Sequence, residues 1–283
     1  MMINRSPLFV IGRILRWRVL LALLWSSLAL DAGAAALTVG NILVSENQTG
    51  MVHEYTTAGT LVQSFTVPAP GDGSVRDVVV DRDGNIRAFN GTFDPDLATI
   101  NVLTSATSQH TASGWSTISN GTYGGIATIA DNGHVFVSDM RTFGPGDTPD
   151  GVVVFDESGA FVTRITDTDV TPGPTDITIG LDGLLYALHH QNDLAIYHPL
   201  TFSRSGSLAL GGGIDFRSIA VNANGEIFAA DWGGTIFHYS SSGVLQNSQQ
   251  FLCPNRGGSG CRFFDINISG DGNSLLLTSM MYP

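Results

Sequence analysis

Acidic side chains recur at matched positions along this chain. Asp77, Asp176 and Asp265 each lie seven residues before a glycine, namely Gly84, Gly183 and Gly272. Six residues after Gly40, Gly84, Gly133, Gly183, Gly225 and Gly272 stand Glu46, Asn90, Asp139, His189, Asp231 and Thr278. Brought together, Asp77, Asp176 and Asp265 would form the oxygen-rich set that a hard divalent ion such as calcium takes as ligands. Without a cation, three such charges would repel unless protons were shared. His189 replaces an acid of the pattern, and an imidazole can ligate a metal or act as a general base. His190 follows it, but neighbours on a strand point to opposite faces, so one of the two at most would face a site. Arg76 and Arg217 precede positions of the first acidic set and could hold an anionic group. The plainer readings are hydrogen bonds from turn amides to Asp139 and Asp231, and ion pairs between the arginines and nearby acids.

The elements that must position these groups come from a repeat. Asp77–Asn90, Ile126–Asp139, Asp176–His189, Ser218–Asp231 and Asp265–Thr278 share one pattern, and Gly40–Glu46 is a partial sixth copy. The registering glycines are spaced 44, 49, 50, 42 and 47 residues apart, the period of a four-stranded propeller blade. Before five of the glycines stands Asp83, Asn132, Asp182, Asn224 or Asp271. Asp-Gly and Asn-Gly predict a hairpin with a two-residue type I′ turn. The flanks, rich in Val, Ile, Phe and Ala, are the strands, here called a and b. Two further strand-like stretches usually follow. Such sheets cannot bury both faces alone, and stacking around an axis covers each with a neighbour. The expected fold is all-β, a β-propeller of four-stranded antiparallel blades. The copies count out to six blades with thin ends, or to five if the C-terminal strand completes the first. In a propeller, the start of strand a and the end of strand b share one face around the axis. On strand a, Val79, Thr128, Thr178, Ala220 and Asn267 are expected to line the axis. Val80, Ile129, Ile179, Val221 and Ile268 are expected to fill the core between blades.

GHVFVSD (133–139) and GEIFAAD (225–231), a D/N-G turn between apolar strands closed by an acid, resemble the NHL-repeat propellers. They are also similar to the six-bladed gluconolactonase-type propellers. The resemblance spans nearly all of residues 37–283. It implies six blades and, on the NHL side, an interaction scaffold. On the lactonase side it implies a central metal that polarises substrate or activates water. Asp77, Asp176 and Asp265 would then be ligands, with His189 as the candidate catalytic group. No G-x-S-x-G elbow, Walker loop or H-E-x-x-H is present.

The bulk properties limit the partners. The formal charge is −12, and all 13 basic residues are Arg. Residues 1–36 read as a signal peptide: Arg5, Arg13, Arg16 and Arg18 precede the apolar run Val19–Leu30, and Ala34-Ala35-Ala36 offers a cleavage site. The run is too short to span a membrane, which takes about 20 apolar residues. Residues 37–283 would be one propeller domain. Its 9 Arg against 24 acids exclude nucleic acid as a partner. Cys253 and Cys261 are expected to form one disulfide in an oxidising compartment. The expectation is an exported periplasmic or extracellular monomer. It would bind a protein, glycan or small polar ligand through its axial polar face, with Arg76, Asn90, Asp139, Arg217 and Asp231 as ligand contacts. The alternative is a metal-dependent hydrolase or lyase with a divalent ion at the mouth.

Overall fold

The computed structural model describes residues 35–46, 49–67, 75, 77–90, 96–100, 107–110, 127–129, 132–139, 151–166, 173–189, 192–212, 215–252, 263–269 and 272–279. The stretch 1–34, Arg76, His190, Cys253 and Cys261 lie outside the described residues, as does the side chain of Asn90.

Every described element is a strand, and every pairing is antiparallel. Sheet one contains β1 (Ile42–Glu46), β2 (Met51–Tyr55) and β3 (Leu61–Thr66). Sheet two contains β4 (Asp77–Val80), β5 (Ile86–Asn90), β6 (Asp96–Ile100) and β7 (Thr107–His110). Sheet three contains β8 (Ala127–Ile129), β9 (Val135–Asp139), β10 (Gly151–Phe155) and β11 (Phe161–Ile165). Sheet four contains β12 (Pro174–Ile179), β13 (Leu185–His189), β14 (Asp193–Tyr197) and β15 (Arg204–Ala209). Sheet five contains β16 (Phe216–Val221), β17 (Ile227–Asp231), β18 (Thr235–Tyr239) and β19 (Leu245–Gln250). Sheet six contains β20 (Phe263–Ile268) and β21 (Leu275–Ser279). Each sheet is a meander, strands paired in chain order. The first strands of successive sheets pack on one another, β4 on β8, β8 on β12, β12 on β16 and β16 on β20. This is the radial stacking of a propeller.

The hairpin turns differ from the expected type. The glycines have positive φ, +79° at Gly84 and +75° at Gly225, but Asp83 and Asn224 do not. Gly84 N–H donates to Asp81 O, and Asp81 N–H to Asn85 O; Gly225 and Asn222 repeat this with Glu226. That is a three-residue loop with a left-handed glycine, not a two-residue type I′ turn. Gly183 and Gly180 close the same loop in sheet four, and in the other two the residue three before the glycine caps it. Asp81 Oδ1 accepts the N–H groups of Asp83 and Asn85 at 3.0 and 2.8 Å. Asn222 Oδ1 does the same for Asn224 and Glu226, both at 2.9 Å. Such an Asx cap stabilises the type I conformation before the glycine.

The cores lie between sheets. In sheet four, Ile177, Leu185, Ala187, Ala195 and Tyr197 join Phe136, Val152, Val154 and Ile165 of sheet three. The alternate residues Tyr186, Leu188 and Leu194 face Ile219, Val221, Ile227 and Ala229 of sheet five. Ala220 and Ala230 turn the other way, onto Phe263 and Ile266 of sheet six. Period-two alternation thus serves two interfaces. This corrects the expectation that Ala220 lines the axis. An inner strand runs along the axis, so both its faces meet neighbouring sheets.

Gly151 shows how tight the sheets are. A Cβ there would stand 2.2 Å from Ile165 O. Gly206, on β15, has nothing within 4 Å of the same position. Gly151→Ala is therefore expected to cost about 1–3 kcal/mol by overpacking, and Gly206→Ala close to nothing, by urea unfolding at equilibrium.

Candidate functional site

The start of each inner strand and the end of its hairpin partner share one face, as the register requires. Pro174 pairs with His189, Phe216 with Asp231 and Phe263 with Ser279. In all three sheets the register then slips, between Pro174 and Asp176, Phe216 and Ser218, and Phe263 and Asp265. Thr175, Arg217 and Phe264 are the extra residues. A bulge of this kind re-aims the side chains beside it. The hydrophobic pattern carried no sign of it, and it starts each strand two residues before the acid or serine.

The re-aimed side chains meet between sheets four, five and six. Asp176 Oδ2 accepts the N–H of Ile219 on β16 at 2.7 Å. One sheet on, Ser218 Oγ accepts the N–H of Ile266 on β20 at 3.1 Å. The same hydroxyl donates to Asp265 Oδ1 at 2.9 Å and also contacts the Asp176 carboxyl. A serine has one proton to give, and here it goes to Asp265. The Asp176–Ser218 contact is then satisfied when Asp176 is the protonated partner. Electrostatics point the same way. Burial, then the neighbouring Asp265 charge, push the Asp176 carboxyl well above the usual range, against the Ser218 contact and the amides of Ile219 and Ile177. Burial also raises Asp265, although Ser218 and the Ile266 N–H pull it down. Asp176 and Asp265 stand out in the sequence as acids at matched positions, and Ser218 does not. The sign was present, since Ser218 occupies the register position of an acid.

The other candidates have separate tasks. Asp77 is half-buried, and its Oδ1 accepts the N–H of Val78 at 2.7 Å. Asp139 is buried and pairs with Arg164 at 2.6 Å, an arm reaching across from the outer strand β11. Asp231 Oδ1 accepts the N–H of Thr235 at 2.7 Å, closing the turn from β17 to β18. Arg217 pairs with Asp215 at 2.6 Å, and its guanidinium lies 4.9 Å from the centre of the Trp232 ring. His189 is 2% exposed, deep at the end of β13. Asn90 closes β5 opposite Asp96. Among the described residues, no group of three or more His, Asp or Glu side chains is arranged to hold a metal ion.

Four-stranded antiparallel sheets stacked through their inner strands define a β-propeller. The crystal structure of selenomethionine-substituted virginiamycin B lyase from Staphylococcus aureus is similar, with a TM-score of 0.62 and 15% identity. The match covers 89% of this chain and 79% of that one. At that identity the likeness is one of fold. No family model matches the sequence, and no curated protein does.

Asp176 and Asp265 bind protons more tightly folded than unfolded. Their stabilising effect is full below the ordinary carboxyl value of 3.8 and is lost as pH rises through the pair's raised range. Glu54 has the opposite sign. Burial opposes its charge, but hydrogen bonds from Thr38, Gln63 and Asn41 outweigh that and hold its pKa low, so its contribution is lost as pH falls. Asp176→Asn keeps an acceptor for Ile219 and a donor for Ser218. Relative to this variant, the native protein is expected to lose melting temperature as pH rises above 3.8. Glu54 cancels in the difference. Circular dichroism melts across pH check it, and a flat difference would rule out the shared proton.

Proposed function

We propose that this chain is an exported, NHL-like, six-bladed propeller that serves as a binding scaffold through the polar face around its axis. One observation carries the reading. Two of the three inner-strand acids that could have held a metal are engaged between sheets, Asp176 with the Ile219 amide and Asp265 with Ser218, whose hydroxyl also takes the Ile266 amide. Asp139 and Asp231 are likewise occupied, by Arg164 and by the Thr235 amide. What the face offers a partner is the half-buried Arg217 stacked on Trp232 beside Asp231. A flat cation over an indole suits a sugar ring or a carboxylate. A glycan or acidic peptide is the ligand class this surface fits best.

A second reading is favoured by the name of the similar structure, a lyase. On that reading a divalent ion such as calcium would sit among Asp77, Asp176 and Asp265, with His189 near it. The two readings part on metal. On the scaffold reading, adding calcium, magnesium or manganese leaves the melting temperature unchanged. Binding to an immobilised glycan or acidic-peptide array is then retained in chelator and lost in Trp232→Ala. A metal-induced rise in melting temperature that Asp176→Asn removes would decide for the lyase reading.

A further inference from the structure

The first described residues form a strap on sheet one. Ala35 N–H donates to Gln63 Oε1 at 3.0 Å, and Gln63 Nε2 donates back to Ala35 O at 2.8 Å. A side-chain amide here copies the two-bond pairing of a strand neighbour, on the outer strand β3. The same Nε2 donates to Glu54, which is 0% exposed. Glu54 also accepts Thr38 N–H at 2.9 Å and Asn41 Nδ2 at 2.6 Å. Leu37 packs against the core of Val52, Phe65, Val67, Val75, Ile86 and Ala88. Ala35, Leu37 and Thr38 therefore belong to the folded body.

Three windows here have the small-x-small form that a signal peptidase accepts. Ala34-Ala35-Ala36 directs the cut after Ala36, Gly33-Ala34-Ala35 after Ala35, and Ala32-Gly33-Ala34 after Ala34. A cut after Ala35 or Ala36 removes both Ala35 groups and strips the Gln63 amide of its paired partner. A cut after Ala34 keeps them. We propose that a signal peptidase cleaves this chain between Ala34 and Ala35, and that the new amino terminus docks on Gln63 beside buried Glu54. Hydrolysis breaks the Ala34–Ala35 amide, and water supplies the hydroxyl to the Ala34 carboxylate and a proton to the Ala35 amine. That amine is largely protonated at neutral pH, its usual pKa being about 8. It brings a positive charge to the neighbourhood of a carboxylate whose donors above are all neutral amides. The inference rests on the export reading and adds its cleavage point.

The test uses the full chain expressed in a secreting bacterium, with intact mass and amino-terminal sequencing of the exported protein. A start at Ala35 is expected. A start at Ala36 or Leu37 overturns the cleavage point while leaving export standing, and an unprocessed chain in the cytoplasm overturns both. Ala36→Glu, at an exposed residue, spoils the cut after Ala36 and is expected to leave the start at Ala35. Ala32→Arg spoils the cut after Ala34 and is expected to move the start to Ala36 or Leu37; a start still at Ala35 in that variant overturns the proposal. For the docking, proteins starting at Ala35 and at Leu37 are each compared with their Gln63→Ala variants. The substitution is expected to lower the melting temperature by about 2–4 °C more in the Ala35 form. Equal losses overturn the docking.

Discussion

Neighbouring inner strands of this propeller present faces, not edges, to one another, so no backbone ladder can join them. The join is made by short side chains at one end. Asp176 reaches the N–H of Ile219 and Ser218 reaches the N–H of Ile266, the same step taken twice between successive sheets. At the other end of the same strands, Leu181 N–H donates to Val221 O at 3.1 Å. β12 and β16 are thus held at both ends, with Ile219 and Val221 of β16 packed against sheet four between them. The side chain that makes this reach must be short and must carry an acceptor, as Asp176 and Ser218 do. The bulge before it frees the group from the regular alternation and turns it toward the next sheet.

The same constraint sets the charge at the axis. A carboxylate is a strong acceptor for an amide, but carboxylates on successive sheets would face one another across a poorly hydrated space. Serine at 218 resolves this for sheets four to six. It keeps the acceptor for Ile266 while placing a neutral hydroxyl between Asp176 and Asp265. The remaining repulsion, added to burial, raises the Asp176 carboxyl well above the usual range. Elsewhere on this face the acids are engaged differently, Asp139 by an arginine and Asp231 by a backbone amide at a turn.

Much of this was legible in the residues. The glycine spacing and the paired apolar flanks of GHVFVSD and GEIFAAD carried the sheets, their order and the shared face of the acids. Three features were not. The loop is one residue longer than the familiar Asp-Gly and Asn-Gly pairs suggest, and the caps that Asp81 and Asn222 give it stand three residues before the glycine. The bulges at Thr175 and Arg217 insert one residue without changing the hydrophobic pattern, so no periodicity reports them. The destination of Ala220 followed from geometry alone, because a small residue suits a narrow axis as well as a tight interface. Asp176 and Asp265 were recognised as close neighbours, but their role as ties needed the amide of the adjoining strand, which no side-chain pattern encodes.

In sheet five the connection from the second to the third strand, residues 232–234, is short and opens onto this face beside the tied acids. It is itself rigid, since Asp231 accepts the Thr235 amide and Gly234 N–H returns to Asp231 O. It presents Trp232 with Arg217 lying over it. Arg217 is also the bulged residue of β16, so one departure from strand geometry both aims Ser218 at the next sheet and frees the arginine from the sheet plane. The tie between sheets and the half-buried Arg217–Trp232 pair are adjacent products of one inserted residue. A propeller built this way can change its connections without disturbing the hydrogen bonds that hold its sheets together.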